Sequence, residues 1–229
     1  MFSPGIDRAI IEASKLRRDV GRGMVGFMGC EGFFSALGMA SRMLESSLRN
    51  ILIVCVELPS LQFRLDDTPG ARVANALFGD GAGALVLSSE DRCGGISLGE
   101  GWARHEATAP ESQWEIGAYG IEFGISRGNP DCTLASDARL ALDLSIRKGV
   151  RRSFALQASD DRTISLLSRM LEADTASTEC ARAVLRDTGN TISASMIFVL
   201  ERLESAGLEP AAIIGLRPGL SAHVVPTGS

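Results

Sequence analysis

Residues 51–57 read ILIVCVE, an apolar run that does not alternate with polar residues. Such a run predicts a strand covered on both faces, the kind found where helices flank a sheet. Apolar strands then alternate with helical spacing along the chain, so the expected class is α/β. Helices are predicted over 6–16, 31–49, 134–148, 160–173, 176–187 and 191–206. The clearest is 31–49, where Phe34, Leu37, Leu44 and Leu48 recur at helical spacing. Strands are predicted over 24–29, 51–57, 83–89, 153–158, 211–216 and 221–226. Between them, 94–102 and 114–126 alternate around glycine turns and read as strand-rich. A 229-residue chain that is 45% hydrophobic can bury the core of one domain or two small ones. The composition hints at a seam only near SSEDRCGG, residues 88–95.

Charge and cysteine usage narrow the function classes. The net charge of −5 has its signs interspersed, with no Lys/Arg cluster for a nucleic-acid face. No apolar run approaches the ~20 residues of a membrane span, so no membrane partner is expected. The first residues, MFSPGIDRAII, lack a basic stretch followed by an apolar one, so the expected compartment is cytoplasmic. Cys30, Cys55, Cys93, Cys132 and Cys180 are odd in number and widely spaced, and His105 and His223 lie far apart. No metal site and no disulfide framework is expected from that pattern. Cys55, inside its apolar run, reads as core packing. Asp66-Asp67 and Asp160-Asp161 read as solvated loop or helix-start carboxylates. GDGAGA lacks the GxGxxG spacing of a dinucleotide loop.

Cys30 is different. In GFMGCEGFF, residues 26–34, a predicted strand ends in Gly-Cys and turns into a helix through Gly32. Small neighbours permit a tight turn that presents the side chain at a helix N-terminus, as in a nucleophile elbow. The unpaired N–H groups there favour a thiolate and can receive a carbonyl oxygen. On local grounds alone, a buried cysteine opening a core helix fits as well.

Six stretches then bear on the matter together. SPGID and RDVGRGMVGFMGCEG lead into Cys30; ALFGDGAGALVL, IGAYGIEFGISRGNP, TGNTISASMIFVLERLESAG and GLRPGLS follow in order. Together they resemble the type III polyketide synthases, the chalcone and stilbene synthase family of the thiolase-like fold. The resemblance runs from about residue 3 to 225. It implies two similar α/β halves in a layered α-β-α-β-α arrangement. Residues 1–90 would be the later part of the first half, carrying the cysteine, and 91–229 the second half, carrying Asn190.

The resemblance also implies a reaction. Cys30 would accept an acyl group from an acyl-coenzyme A thioester, with no bound cofactor. Asn190 would donate its amide to the malonyl-coenzyme A thioester oxygen as decarboxylation makes a carbanion. Phe78 and Phe123 match the pair that gates the channel to the cysteine. Locally, Asn190 also reads as a helix N-cap, and both phenylalanines as core aromatics.

The sequence departs from the family at several positions. Gln157 stands where the family has its histidine, and Ser159-Asp160 where a glycine pair follows it. Neither His105, placed in a polar loop, nor His223, in the last strand, falls at that position. Arg217 replaces a small residue in the closing loop, and Ile192 a serine of plant members. Losing a donor of this kind costs on the order of two to three decades in rate, so condensation is expected to be impaired. More than a hundred residues that precede this segment in the family, including basic coenzyme A contacts, are not represented. The expectations are therefore an acyltransferase of this family, a homodimer or a chain completed by another chain. The alternatives are a degraded paralogue or fragment serving as a partner subunit, and a ketoacyl synthase III-like enzyme.

Overall fold

The computed structural model describes residues 5–46, 48–65, 67–90, 95–105, 112–117, 120–125, 153–217 and 221–228. The predicted helix over 134–148, Cys93, Cys132, Asp66, the tip of the GLRPGLS loop and half of the 88–95 seam lie outside the described residues.

The chain is built from two copies of one arrangement, a helix followed by two antiparallel strands. In the first copy, α2 (Gly32–Ser46) leads into β1 (Asn50–Glu57), which pairs with β2 (Gly81–Ser88). In the second, α6 (Ser195–Ser205) leads into β7 (Ala212–Arg217), which pairs with β8 (Ser221–Pro226). The second copy belongs to a larger sheet of order β3-β8-β7-β6, with β3 (Trp102–His105) antiparallel to β8 and β6 (Phe154–Leu156) parallel to β7. A parallel pair needs a long crossover. Here it is α4 (Asp161–Met170), α5 (Thr175–Thr188) and α6, with α5 and α6 both packed on β6. The remaining α-helices and strands among the described residues are α1 (Ile6–Ala13), α3 (Pro69–Leu77) and the hairpin β4 (Ser112–Gly117) and β5 (Gly120–Ile125). The α/β class expected from the sequence is the one observed.

Local chemistry explains the helix boundaries. Asp160 caps α4 by accepting from the Thr163 amide at 2.8 Å, and Asp174 caps α5 by accepting from the Ser177 amide at 2.6 Å. Thr68 caps α3, with Pro69 as its first residue. Asp161 pairs with Arg182 at 3.2 Å and Asp67 with Arg72 at 3.5 Å, as suits solvated carboxylates. The core joins both copies: Phe33, Phe34 and Leu37 of α2 pack with Met196 and Val199 of α6 and the buried strands β6 to β8.

Three expectations are corrected. Residues 24–29 do not form a strand; 24–28 run as irregular chain, with Met24 70% and Phe27 76% exposed, and Gly29 opens a 3-10 turn. Apolar character makes a strand only where a neighbouring strand receives its hydrogen bonds, and none does so among the described residues. The ILIVCVE strand does form, but it is covered on one face. Ile53 and Cys55 point into the core, whereas Leu52 and its register partner Val86 stand exposed. His105, placed in a loop by sequence, ends strand β3.

Candidate active site

Cys30 sits in a 3-10 turn, Gly29–Glu31, that runs directly into α2. Gly29 adopts φ +55, the left-handed conformation that a tight entry requires and glycine tolerates. The cysteine is half-buried at the head of a fifteen-residue helix. The elbow inferred from the sequence is therefore present, entered from irregular chain rather than from a strand.

Asn190 arrives from the other copy. Helix α5 ends at Gly189, whose φ is +71, and the chain then passes against the Phe-Gly-Asp-Gly stretch. The Asn190 amide donates to the Leu77 carbonyl at 2.9 Å, and the Gly79 amide donates to the Asn190 carbonyl at 3.1 Å. That contact explains the glycines of ALFGDGAG. A Cβ on Gly79 would lie 2.1 Å from the Thr188 carbonyl oxygen, and one on Gly81 2.8 Å from the Thr191 side chain. Asp80, between them, is tied outward: it accepts from the Ser60 amide at 2.8 Å and the Ser60 hydroxyl at 2.6 Å, which holds its carboxyl below the usual range.

The Asn190 side chain is buried, and it does not cap α6. The N-cap position is Ala194. Instead, Asn190 Oδ1 accepts from the Ile192 amide at 2.8 Å, and Nδ2 donates to the Ser159 carbonyl at 2.9 Å. This local turn holds Ile192 at φ +53, a conformation uncommon for a β-branched residue.

Gln157 connects the two arms. Its Nε2 donates to the Cys30 carbonyl at 3.2 Å and to the Ile192 carbonyl at 3.4 Å, and the side chain is 3% exposed. A primary amide has two N–H donors, and both are directed at main-chain oxygens. The side chain thus fastens the Cys30 turn to the Asn190 turn.

Phe78 and Phe123 meet edge to face, with ring centroids 5.4 Å apart. They come from the end of α3 and from β5, brought together because Gly70 lets α3 rest on the Phe123 backbone. Both line a pocket of about 240 Å³ with Phe63, Asn75 and the Arg64–Glu122 pair, which closes at 2.6 Å. The five residues singled out in the sequence therefore fall into a Cys30–Gln157–Asn190 cluster and a Phe78–Phe123 pair. Phe78 also bridges to Asn190 through the main chain.

Sequence reasoning passed over two carboxylates, one half-buried and one buried. Glu57, at the end of β1, accepts from the Ser193 hydroxyl at 2.5 Å; burial pushes its carboxyl up, partly offset by that bond. Ser193 packs against Gly32, two residues from Cys30. Burial also pushes the Cys55 thiol up, against a hydrogen bond from Ser193 and with Glu57 adding to the rise. Glu31 is the second carboxylate: it accepts from the Ser221 hydroxyl at 2.5 Å. The available signal was Ser193, three positions after Asn190, and an acidic residue beside the cysteine. Among the described residues, no group of three or more His, Cys, Asp or Glu could hold a metal, and no helix is long and apolar enough to cross a membrane.

Comparison with known proteins places this geometry. A family profile for 3-oxoacyl-[acyl-carrier-protein] synthase III matches residues 27–100. Probable polyketide synthase 1 of Dictyostelium discoideum is 28% identical over 95% of this chain and 7% of that protein. Alpha-pyrone synthesis polyketide synthase-like Pks18 of Mycobacterium tuberculosis is 27% identical over 88% of this chain and 54% of that protein. The crystal structure of the C-terminal type III polyketide synthase domain of Steely1, a type I/III hybrid from Dictyostelium, superposes with a TM-score of 0.86 at 22% identity. It covers 99% of this chain and 68% of that one. The chain therefore has the fold of that type III polyketide synthase domain, with a cysteine at a helix head. The chain is similar in sequence to polyketide synthases over most of its length, in keeping with the resemblance drawn from its motifs. It spans about half the length of the mycobacterial relative and a small part of the Dictyostelium one.

Proposed function

We propose that this chain is a type III polyketide synthase-like acyltransferase in which Cys30 takes an acyl group from acyl-coenzyme A. The thiolate attacks the thioester carbonyl, the oxyanion collapses, and coenzyme A leaves as its thiol after taking a proton. The N–H groups at the head of α2 are suited to the oxyanion. The observation that carries the reading is the Gln157 clasp, which joins the Cys30 turn to the turn that shapes Asn190. Phe78 and Phe123, beside a pocket of about 240 Å³, suit the entrance for the acyl chain. The proposed division is residues 1–90 with Cys30 and 91–229 with Asn190.

Condensation with malonyl-coenzyme A is a separate step, and here we propose impairment. Gln157 cannot act as an imidazole, and its N–H groups are directed at main-chain carbonyls rather than at a substrate oxygen. Loss of one such donor costs about two to three decades in rate. That same clasp favours a second reading, in which the chain serves as a partner subunit of a complete synthase. Assembly as a homodimer or with a completing chain belongs to this proposal.

The test is intact mass after incubation with acyl-coenzyme A esters, and separately with acylated carrier protein, beside Cys30→Ala and a circular-dichroism check. A gain equal to the acyl group, absent in the variant, supports acyl transfer. Acylation by the carrier protein alone moves the reading to a ketoacyl synthase III-like enzyme. No adduct on a folded chain rules out the stand-alone enzyme and favours the partner subunit.

A further inference from the structure

Strand β2 is paired with β1 along one edge, in an unbroken register from Asn50–Ser88 to Glu57–Gly81, and no described strand pairs with its other edge. Edge strands are ordinarily guarded by a charge, a proline or a bulge. The β2 sequence, GAGALVLS, has no charge and no proline, and its register has no bulge. A groove of about 1340 Å³ runs beside it. Residues 82–87 all line that groove. Successive side chains of a strand point to opposite faces, so the groove follows the free edge of β2 rather than one face.

The opposite wall is the chain over 95–98, held to the end of β8. There the Gly99 amide donates to the Pro226 carbonyl at 2.8 Å, and the Gly228 amide to the Ser97 carbonyl at 3.0 Å. The floor is apolar: Leu85, Leu87, Leu98, Phe198, Leu200 and Leu208 are partly buried and pack against the core. The rim carries Glu201 and Glu204 of α6 and Glu209 beyond it, all exposed. Among the described residues, none of these three carboxylates is ion-paired or hydrogen-bonded, and no Lys or Arg lines the groove.

We propose that this groove receives an extended segment of another protein, which adds as a strand to the free edge of β2. The incoming main chain takes the edge hydrogen bonds, alternate apolar side chains meet the leucines and Phe198, and Lys or Arg residues face the glutamates. Residues 82–87 offer about 20 Å of edge, the length of an ordinary strand. Two-fold pairing of β2 with a second copy would instead bring two uncompensated acidic rims into one interface, which charge disfavours. The inference goes beyond acyl transfer at Cys30 and does not rest on it.

The experiment is fluorescence anisotropy of the full chain with a labelled short peptide that alternates lysine and valine. Three further peptides separate the contributions. Lysine with serine keeps the charge, glutamate with valine reverses it, and N-methylation of every amide in the original removes the main-chain donors. The lysine-valine peptide should bind saturably and at least about tenfold more tightly than each of the others. Reversing two rim charges together, Glu201→Lys with Glu204→Lys, should weaken it about tenfold. Val86→Lys, which places a guarding charge on the strand, should weaken it as well. All three positions are exposed, and circular dichroism checks that the variants fold. Absence of binding overturns the proposal, as does equal binding of the lysine-serine or N-methylated peptide, or an affinity that neither substitution moves. Sedimentation equilibrium supplies the last arm: self-association that Val86→Lys abolishes assigns the groove to a second copy and overturns it too. No readout here uses an acyl donor, so failure of Cys30 acylation and failure of this docking surface are seen separately.

Discussion

The Nε2 atom of Gln157 lies 3.2 Å from the carbonyl oxygen of Cys30, so this side chain grips the backbone of the proposed nucleophile. It holds the turn in place and offers the substrate no proton donor. This separates two properties that one residue could have combined, placement of the cysteine and stabilisation of an enolate.

Gln157→Ala should therefore loosen the site before it changes chemistry. Two main-chain carbonyls, one half-buried and one buried, lose this donor, and the expected cost is about 1–3 kcal/mol, read from urea midpoints. Gln157→His should lose part of that stability and gain malonyl-dependent product by about two decades. Product formation from acyl- and malonyl-coenzyme A, measured against unchanged Cys30 acylation, checks it. An unchanged condensation rate in a folded, acylated variant would sink the idea that the missing imidazole is what limits this step.

Gly79→Ala is expected to be among the most damaging single-methyl changes in the chain. The added carbon would fall 2.1 Å from the Thr188 carbonyl, and backbone cannot step aside as a side chain can. Overpacking typically costs 1–3 kcal/mol, and about the upper end of that range is expected. Thermal unfolding gives the magnitude, and a fall in Cys30 acylation would show that the Asn190 turn had moved.

The pH dependence of stability has a definite sign at Glu57. Its carboxyl is raised in the folded state by burial, so the fold holds a proton that the unfolded chain has released. Its contribution is therefore most favourable at acid pH and is lost as pH rises from the unfolded value of 4.5 through the folded one. Glu57→Gln retains an acceptor for Ser193 without the charge. Its urea midpoint should exceed wild type at pH 7.5, with the gap narrowing by pH 4.5. A gap that widens toward acid would contradict the assignment.

Phe78→Ala should cost about 0.5–1.5 kcal/mol for the lost ring contact, beyond its share of burial. It should also enlarge the pocket shared with Phe123. Competition between short and long acyl-coenzyme A esters, read as the ratio of Cys30 adducts, should shift toward the longer chain.

Much of this arrangement could be read from the sequence because periodicity and turn chemistry are local. Strand β8 matches its predicted span, and α4 and α5 start at Asp160 and Asp174, whose carboxylates cap them. Cys30 was legible because small residues around a cysteine before a helical run demand a tight turn. The strand predicted over 24–29 was not realised, because strand formation depends on a neighbour that local pattern does not contain. The direction of the Gln157 amide was not legible either. It depends on where the Cys30 and Ile192 carbonyls lie, 127 and 35 residues away in sequence. Glu31 escaped notice for a related reason: an acidic residue at a helix start ordinarily faces water. Here β8 covers it and supplies Ser221 and His223.

The two helix-strand-strand copies also give the site a failure mode. Cys30 rides on α2 and Asn190 leads into α6, so neither copy owns the chemistry alone. Partial opening between them would extinguish the site while each helix and hairpin kept its own hydrogen bonds. The proposed site is in that sense a fuse: it should fail first, ahead of the secondary structure around it. A denaturant titration followed by Cys30 acylation should break at a lower concentration than one followed by helicity.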